Sequence, residues 1–331
     1  LAAAAVFQWQ GPYSEGASLL QTALQKDLSQ ETQERLYRQL GRLLHLSGHF
    51  EEAMEHYQAS LNLSKDIGNR RGEAITTGFV AWVHREKGKI SDALEHSLQA
   101  LSIAQEVGDR RNQGTLHRNI GLVHSEQGRS SEALLHYEKA LTISKEVGNK
   151  RSEGVTLGNI ALLQQMRGDL GGSLKNYNQA LAVAREVGNR RSEGVTLGNL
   201  AHIHRAQGNT AEALDHYHKA LEVAREVGNR RSEGVTLGNL GDFLLSQGNL
   251  TAAKTHLQKA IEINDKSYPI AAGAFRASLA LIRARQGDFG EAQELLEKGE
   301  GQVRGVYRIE LGKFLCKKAQ IEHMASNPEG A

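Results

Sequence analysis

Fourteen residues, EVGNRRSEGVTLGN, occupy positions 186–199 and return unchanged at 226–239. A third copy at 146–159 differs only by Lys150, and weaker versions begin at Glu106 and Asp66, so the segment appears five times on a forty-residue step. No other feature constrains the fold as much. An active site is assembled once, from side chains on different elements, whereas a segment returning at constant spacing is a supersecondary unit that stacks on copies of itself.

A glycine sets the period. Gly48, Gly88, Gly128, Gly168, Gly208 and Gly248 keep the forty-residue step, Gly287 follows one residue early, and Gly11 is a looser member. Five residues after them stand Ala53, Ala93, Ala133, Ser173, Ala213, Ala253 and Ala292. Nine after stand Tyr57, Ser97, Tyr137, Tyr177, Tyr217, Leu257 and Leu296, and then come pairs such as Ala140-Leu141 and Ala220-Leu221. These offsets fall on one helical face. Upstream, a large and a small apolar residue precede each glycine, as in Leu40-Gly41, Ile120-Gly121 and Leu200-Ala201. Each unit is therefore two amphipathic helices around a glycine turn. Between units, Gly188 closes one helix in the left-handed conformation and Asn189 caps the next. Two helices of ~17 residues with ordinary connections fill the period and leave no room for a strand. Neither helix can bury its apolar face alone, so the stable product is an array.

Composition excludes several classes. The 331 residues are 39% apolar and 24% charged, enough for a packed core. A net charge of +2 gives no general attraction to nucleic acid or membrane. One cysteine, Cys316, excludes an internal disulfide and fits a reducing compartment, hence a cytoplasmic location. The opening LAAAAVFQW is short and lacks a basic start, so it reads as helix rather than signal peptide, and no stretch approaches the ~20 apolar residues of a membrane helix. Starting at Leu1 without methionine, the chain reads as a fragment cut inside its array at both ends. Ala2–Gln10 is then a shortened first helix and Asn327–Ala331 the start of another. The register slips between Lys266 and Pro269, where Ser267-Tyr268-Pro269 replaces the Gly-Asn joint. The expected organisation is a partial repeat at 1–30, regular forty-residue units at 31–266, and divergent, truncated repeats at 267–331.

The small-residue pair, turn glycine, alanine, aromatic and Ala-Leu, as in Leu200-Ala201, Gly208, Ala213, Tyr217 and Ala220-Leu221, resemble the tetratricopeptide repeat (TPR) over nearly the whole chain. The repeat is longer than the usual thirty-four residues. It also lacks the proline that commonly ends the second helix, since the only prolines are Pro12, Pro269 and Pro328. Forty-residue repeats with this joint resemble those of spindle-orientation scaffolds, kinesin light chains and bacterial multidomain regulators. The resemblance implies an all-α, right-handed superhelical solenoid of antiparallel helix pairs, with a concave groove lined by the first helix of each pair. It implies a scaffold that binds a protein or peptide there, without catalysis or cofactor. The alternative is a sensor or regulatory arm of a larger signalling enzyme or NTPase regulator whose catalytic domain lies outside this sequence.

In such a groove, residues nine and six positions before each turn glycine face the ligand. Nine before gives an asparagine ladder, Asn119, Asn159, Asn199 and Asn239, with Phe79 earlier; its carboxamides can donate to and accept from a peptide backbone. Equally open from sequence is that each asparagine ties neighbouring helices together. Gly158, Gly198 and Gly238, one residue before the ladder, either let a ligand backbone approach or allow close helix packing. Six before gives Arg42, Trp82, His202 and Asp242. With Arg38 and Arg118 the early groove is basic and aromatic, and with Arg205 the later groove is polar. In the spindle-scaffold subclass an arginine often stands four residues before the asparagine; here Thr115, Val155, Val195 and Val235 stand there.

Paired basics at 70–71, 110–111, 150–151, 190–191 and 230–231 form a second ladder. Acidic residues precede and follow them, so local pairing is expected to cancel most of their field, which argues against nucleic acid. Fourteen histidines invite a metal. Those in repeat register, such as His96 and His136, are expected ~10 Å apart on successive units, too far to share one ion. His202 with His204, and His216 with His218, point in different directions on a helix. No metal site is therefore expected. No Walker loop, nucleophile elbow or HExxH motif occurs, and nothing signals an oligomeric state.

Overall fold

In the computed structural model, residues 13–303 and 308–326 are described; the expected helix at Ala2–Gln10 and the tail Asn327–Ala331 lie outside them. The described residues form sixteen helices and no strand. These are α1 (Tyr13–Leu24), α2 (Gln30–Leu46), α3 (Phe50–Asp66), α4 (Arg70–Glu86), α5 (Ile90–Glu106), α6 (Arg110–Glu126), α7 (Ser130–Glu146) and α8 (Lys150–Met166). They continue with α9 (Leu170–Glu186), α10 (Arg190–Ala206), α11 (Thr210–Glu226), α12 (Arg230–Ser246), α13 (Leu250–Ser267), α14 (Pro269–Arg285), α15 (Phe289–Val303) and α16 (Arg308–Ser326). The chain divides into two compact units, residues 1–187 and 188–331. The architecture is the expected all-α array of helix pairs.

From α2 to α12 every helix has 17 residues. The cause is a glycine with positive φ every twenty residues, including Gly88 (73°) in a mid-unit turn and Gly188 (64°) at a joint. Only glycine adopts that conformation without penalty. At the joints a side chain then restarts the helix: Asn69 accepts from the Gly72 amide, Asp109 from Asn112, Asn149 from Ser152 and Asn229 from Ser232.

Packing explains the repeated residue types. Tyr57, Tyr137, Tyr177 and Tyr217 are buried on the second helix of their pairs, and Ala53, Ala133 and Ala213 beside them have no exposed surface. A Cβ on Gly41 would lie 2.8 Å from the Tyr57 ring, and one on Gly121 2.6 Å from Tyr137. The small partner of each upstream pair is thus the socket for the tyrosine. Glu34, Glu73, Glu153, Glu193 and Glu233 are buried. Arg70 pairs with Glu73 at 2.6 Å and reaches the far end of its own helix pair at Glu106, also 2.6 Å away. Arg190 does the same with Glu193 and Glu226. In each of these two pairs the first basic residue ties the start of the first helix to the end of the second within one repeat.

The second unit ends differently from how it begins. Tyr268 (φ −161°) both ends α13 and precedes α14, with Pro269 as the first residue of the new helix. Thirteen of the seventeen residues of α14 are buried, so it has no solvent-facing stripe. One reason is α16, whose Phe314 is fully buried and whose Lys317 reaches back to Asp242 on α12 at 3.0 Å. No helix among the described residues is long and apolar enough to cross a membrane.

Candidate functional site

In the first unit a cavity of about 570 Å³ opens on the first helices of successive pairs. Helical period builds its wall: Arg71, Ile75, Gly78 and Trp82 on α4, and Arg111, Thr115, Arg118 and Leu122 on α6, follow i, i+4, i+7, i+11 spacing. Asn119 and Asn159, from α6 and α8, line the same space. In the second unit a smaller cavity of about 370 Å³ is lined by Asn199, Asn239 and His202, with Arg191, Arg231 and Tyr268. The asparagines are half-buried, and no side-chain hydrogen bond joins any of the four to a neighbouring helix among the described residues.

The other candidate residues sort by their partners. Arg42, Phe79, Trp82 and Arg118 line the first cavity. Phe79 is stacked on Tyr57 at 5.5 Å and Arg42 lies over its ring at 5.7 Å. Trp82 tilts against His45 at 4.2 Å and donates its indole N–H to Glu86. Arg38 lines neither cavity: it is ion-paired to the buried Glu34, which also accepts from Ser60 and Ser64. Arg205 sits over Phe243 and Asp242 is bonded to Lys317, both outside the second cavity's wall. His202 contacts the Tyr217 hydroxyl at 3.2 Å, and burial pushes its pKa down to about 4, with the positive charges of Lys313 and Arg205 acting in the same direction.

The glycines beside the ladder also differ. A Cβ on Gly158 would meet nothing within 4 Å, and one on Gly198 only Thr236 at 4.0 Å, so both leave the inner face open. Gly238 instead accommodates the Phe275 ring from α14, and its reason is close packing.

Two features were missed from sequence. In four of the five basic pairs the second member, Arg71, Arg111, Arg191 or Arg231, lines a cavity, whereas the expected cancellation by local acids applies to the first member. The signal was the period: one residue on is a turn of about 100°, so both members cannot face the same glutamate. Histidines also meet across three of the helix pairs. His84 stacks on His96 at 4.9 Å, His204 on His216 at 5.0 Å, and His136 lies near both His117 and His124. The pairs join positions four before and eight after the turn glycine, which comparison of like positions could not reveal. Among the described residues no group of three or more histidine, cysteine, aspartate or glutamate side chains is arranged to hold a metal.

Comparison with known proteins agrees with this geometry. The model for a MalT-like TPR region matches residues 149–311, and that for the tetratricopeptide repeat matches 32–106 and 72–146. No curated protein sequence matches. Among solved structures, the chain is similar to the apo quorum sensor NprR from B. thuringiensis (TM-score 0.65, 16% identity, 88% of this chain and 82% of that one). It is also similar to the Rap conjugation gene regulator of plasmid pLS20 in complex with the Phr* peptide (0.63, 14%, 88% and 75%). A third is a signal transduction ATPase with numerous domains and a TPR sensor from Pyrococcus horikoshii (0.62, 18%, 86% and 44%), of which this chain spans less than half. At these identities the likeness is one of fold.

Proposed function

Because this chain belongs to the tetratricopeptide repeat family, we propose that it is a non-catalytic interaction scaffold which binds an extended peptide or partner segment along the first-helix face of its first unit. The observation that carries this reading is the pair Asn119 and Asn159: half-buried carboxamides lining one cavity, with no side-chain hydrogen bond among the described residues. A carboxamide offers a donor and an acceptor, the two groups that a peptide unit presents in return. The complex of the pLS20 Rap regulator with a peptide supports the reading by analogy of fold. The exposed lone thiol of Cys316 fits a cytoplasmic location.

The test uses peptides selected from a displayed dodecapeptide library on the wild-type chain. Asn119→Ala with Asn159→Ala should weaken their binding roughly 5- to 100-fold, at ~0.5 to 1.5 kcal/mol for each neutral hydrogen bond, and leave the melting temperature almost unchanged. A double variant that melts early but binds normally when folded would make the asparagines structural and sink the proposal.

The MalT-like match over 149–311 and the sensor-bearing ATPase favour a second reading, in which the array is the sensor arm of a larger signalling protein. The full open reading frame decides it: a flanking ATPase or kinase domain supports the arm, and its absence leaves the free-standing scaffold.

A further inference from the structure

Five arginines line the first cavity, Arg42, Arg71, Arg85, Arg111 and Arg118, and they face a single lining carboxylate, Asp109. Asp109 is taken by Arg71, whose Nε lies 2.8 Å away. Arg85 pairs with Glu86 at 2.7 Å and with Glu126 at 3.8 Å. Arg42, Arg111 and Arg118 have no carboxylate within 4.0 Å among the described residues. Arg111 is solvent-exposed, and the other two are half-buried. The Nε of Arg42 makes no hydrogen bond, and Arg118 donates only to the Ser152 hydroxyl at 3.2 Å. Burial lowers the pKa of both, and the like charge of Arg85 adds to the effect on Arg118. A guanidinium removed from water without a counter-ion is among the least favourable arrangements a fold can keep. An anion entering the cavity would relieve it, through charge-assisted and bidentate hydrogen bonds.

Resting on the reading that the first unit binds a peptide, we propose that its ligand is an acidic segment, extended across α2, α4, α6 and α8, whose carboxylates pair with Arg42, Arg111 and Arg118 while Asn119 and Asn159 hold its backbone. Packed helices are ~10 Å apart and an extended chain rises ~3.3 Å per residue, so carboxylates about six residues apart reach from Arg42 on α2 to the guanidiniums of α6, two first helices on. A peptide is favoured over single-stranded nucleic acid because the stacking platforms are in use: Phe79 lies between Tyr57 and Arg42, and Trp82 is against His45 with its N–H on Glu86. Glu86 and Glu126 beside Arg85 also oppose a continuous phosphate chain.

The test is selection of a displayed random dodecapeptide library on the full chain, followed by binding of the fluorescein-labelled consensus peptide. The proposal expects enriched peptides with at least two aspartates or glutamates. It expects affinity to fall about tenfold or more for Arg111→Ala with Arg118→Ala, for the peptide with Gln in place of Glu, and on raising salt from about 50 to 300 mM. If the double variant melts early, Arg111→Ala alone decides, since that side chain is exposed and supports nothing in the fold. Enriched peptides that are neutral or basic, yet lose affinity with Asn119→Ala and Asn159→Ala, would overturn the acidic ligand and leave the peptide groove standing. Peptides indifferent to every cavity residue would remove both. An oligothymidine dodecamer that displaces the consensus peptide at lower concentration than unlabelled peptide does would assign the arginines to nucleic acid instead.

Discussion

The two units use one repeat frame to opposite ends. In the first, the ladder glycine Gly158 faces open space and the wall beyond it carries arginines without carboxylate partners. In the second, Gly198 is still open, but Gly238 one repeat later is filled by Phe275, and Asp242 is occupied by Lys317 of the last described helix. The frame therefore decides where side chains point but not whether the face is left for a partner. That is decided by the residues that break the repeat: Arg42, Phe79 and Trp82 early, and α14 with α16 late. Both cavities combine free carboxamides with arginines that have no carboxylate partner among the described residues, but Arg191 and Arg231 of the second are exposed to water, whereas the first holds the half-buried Arg42 and Arg118.

The comparison sharpens most with the buried glutamates. Glu34 accepts from Arg38, Ser60 and Ser64 with no exposed surface of its own, so Glu34→Ala should cost about 3 to 5 kcal/mol in urea unfolding. Glu233→Ala should cost only about 1 kcal/mol, because Arg225 and Arg230, 52% and 62% exposed, return to water. Equal costs would break the contrast. Acid should act next. Burial is the main cause lowering the pKa of six histidines in the first unit (His45, His56, His84, His117, His124, His136) and of three in the second (His202, His204, His256). The unfolded chain then binds more protons than the folded one below the ordinary histidine value of 6.5, so stability rises with pH up to about 6.5 and is lost as pH falls toward 4. Hydrogen exchange at about pH 5 against pH 7 should show the first unit opening more than the second, and the reverse order would refute the assignment.

The ladder glycines make a pair of opposite sign. Gly238→Ala drives a methyl into Phe275 and should destabilise by about 1 to 3 kcal/mol. Gly158→Ala gains helix propensity in open space and should stabilise by up to about 1 kcal/mol. Two changes of the same sign in thermal melts would show that Phe275 does not close the face at Gly238. The smallest effect belongs to Asp242→Asn. Losing its bond to Lys317 should loosen α16 by about 1 kcal/mol, seen as about fivefold faster exchange confined to the last helix. Uniform exchange across the second unit would show that Lys317 does not fasten α16 locally.

What the sequence made legible is what it repeats. Helix length, the joint at Gly188 and Asn189, and the tyrosine with its small partner are each set within one period and printed many times. Arg38 shows where that reading ends: it falls in a groove register but turns to Glu34, a partner buried by a helix packing that no spacing expresses. The bond from Lys317 to Asp242 spans 75 residues and occurs once. Periodicity carries no information about a contact made by an unrepeated helix. The basic pairs were legible in principle, since a helix turns by about 100° per residue and separates Arg70 from Arg71.

The interchangeable joint has a consequence at the level of the gene. Each forty-residue module carries its own stop, its own cap and both halves of the ion pairs that close its two helices on each other, as Arg190, Glu193 and Glu226 illustrate. Gain or loss of one whole module therefore requires no new interface, whereas a deletion of any other length would leave a helix without its glycine. The identical stretches at 186–199 and 226–239 are the form that such copying takes. A lineage of these chains can vary in span by duplication alone, adding one asparagine and one inward-facing arginine per step, and recognition length becomes a heritable quantity separate from recognition chemistry.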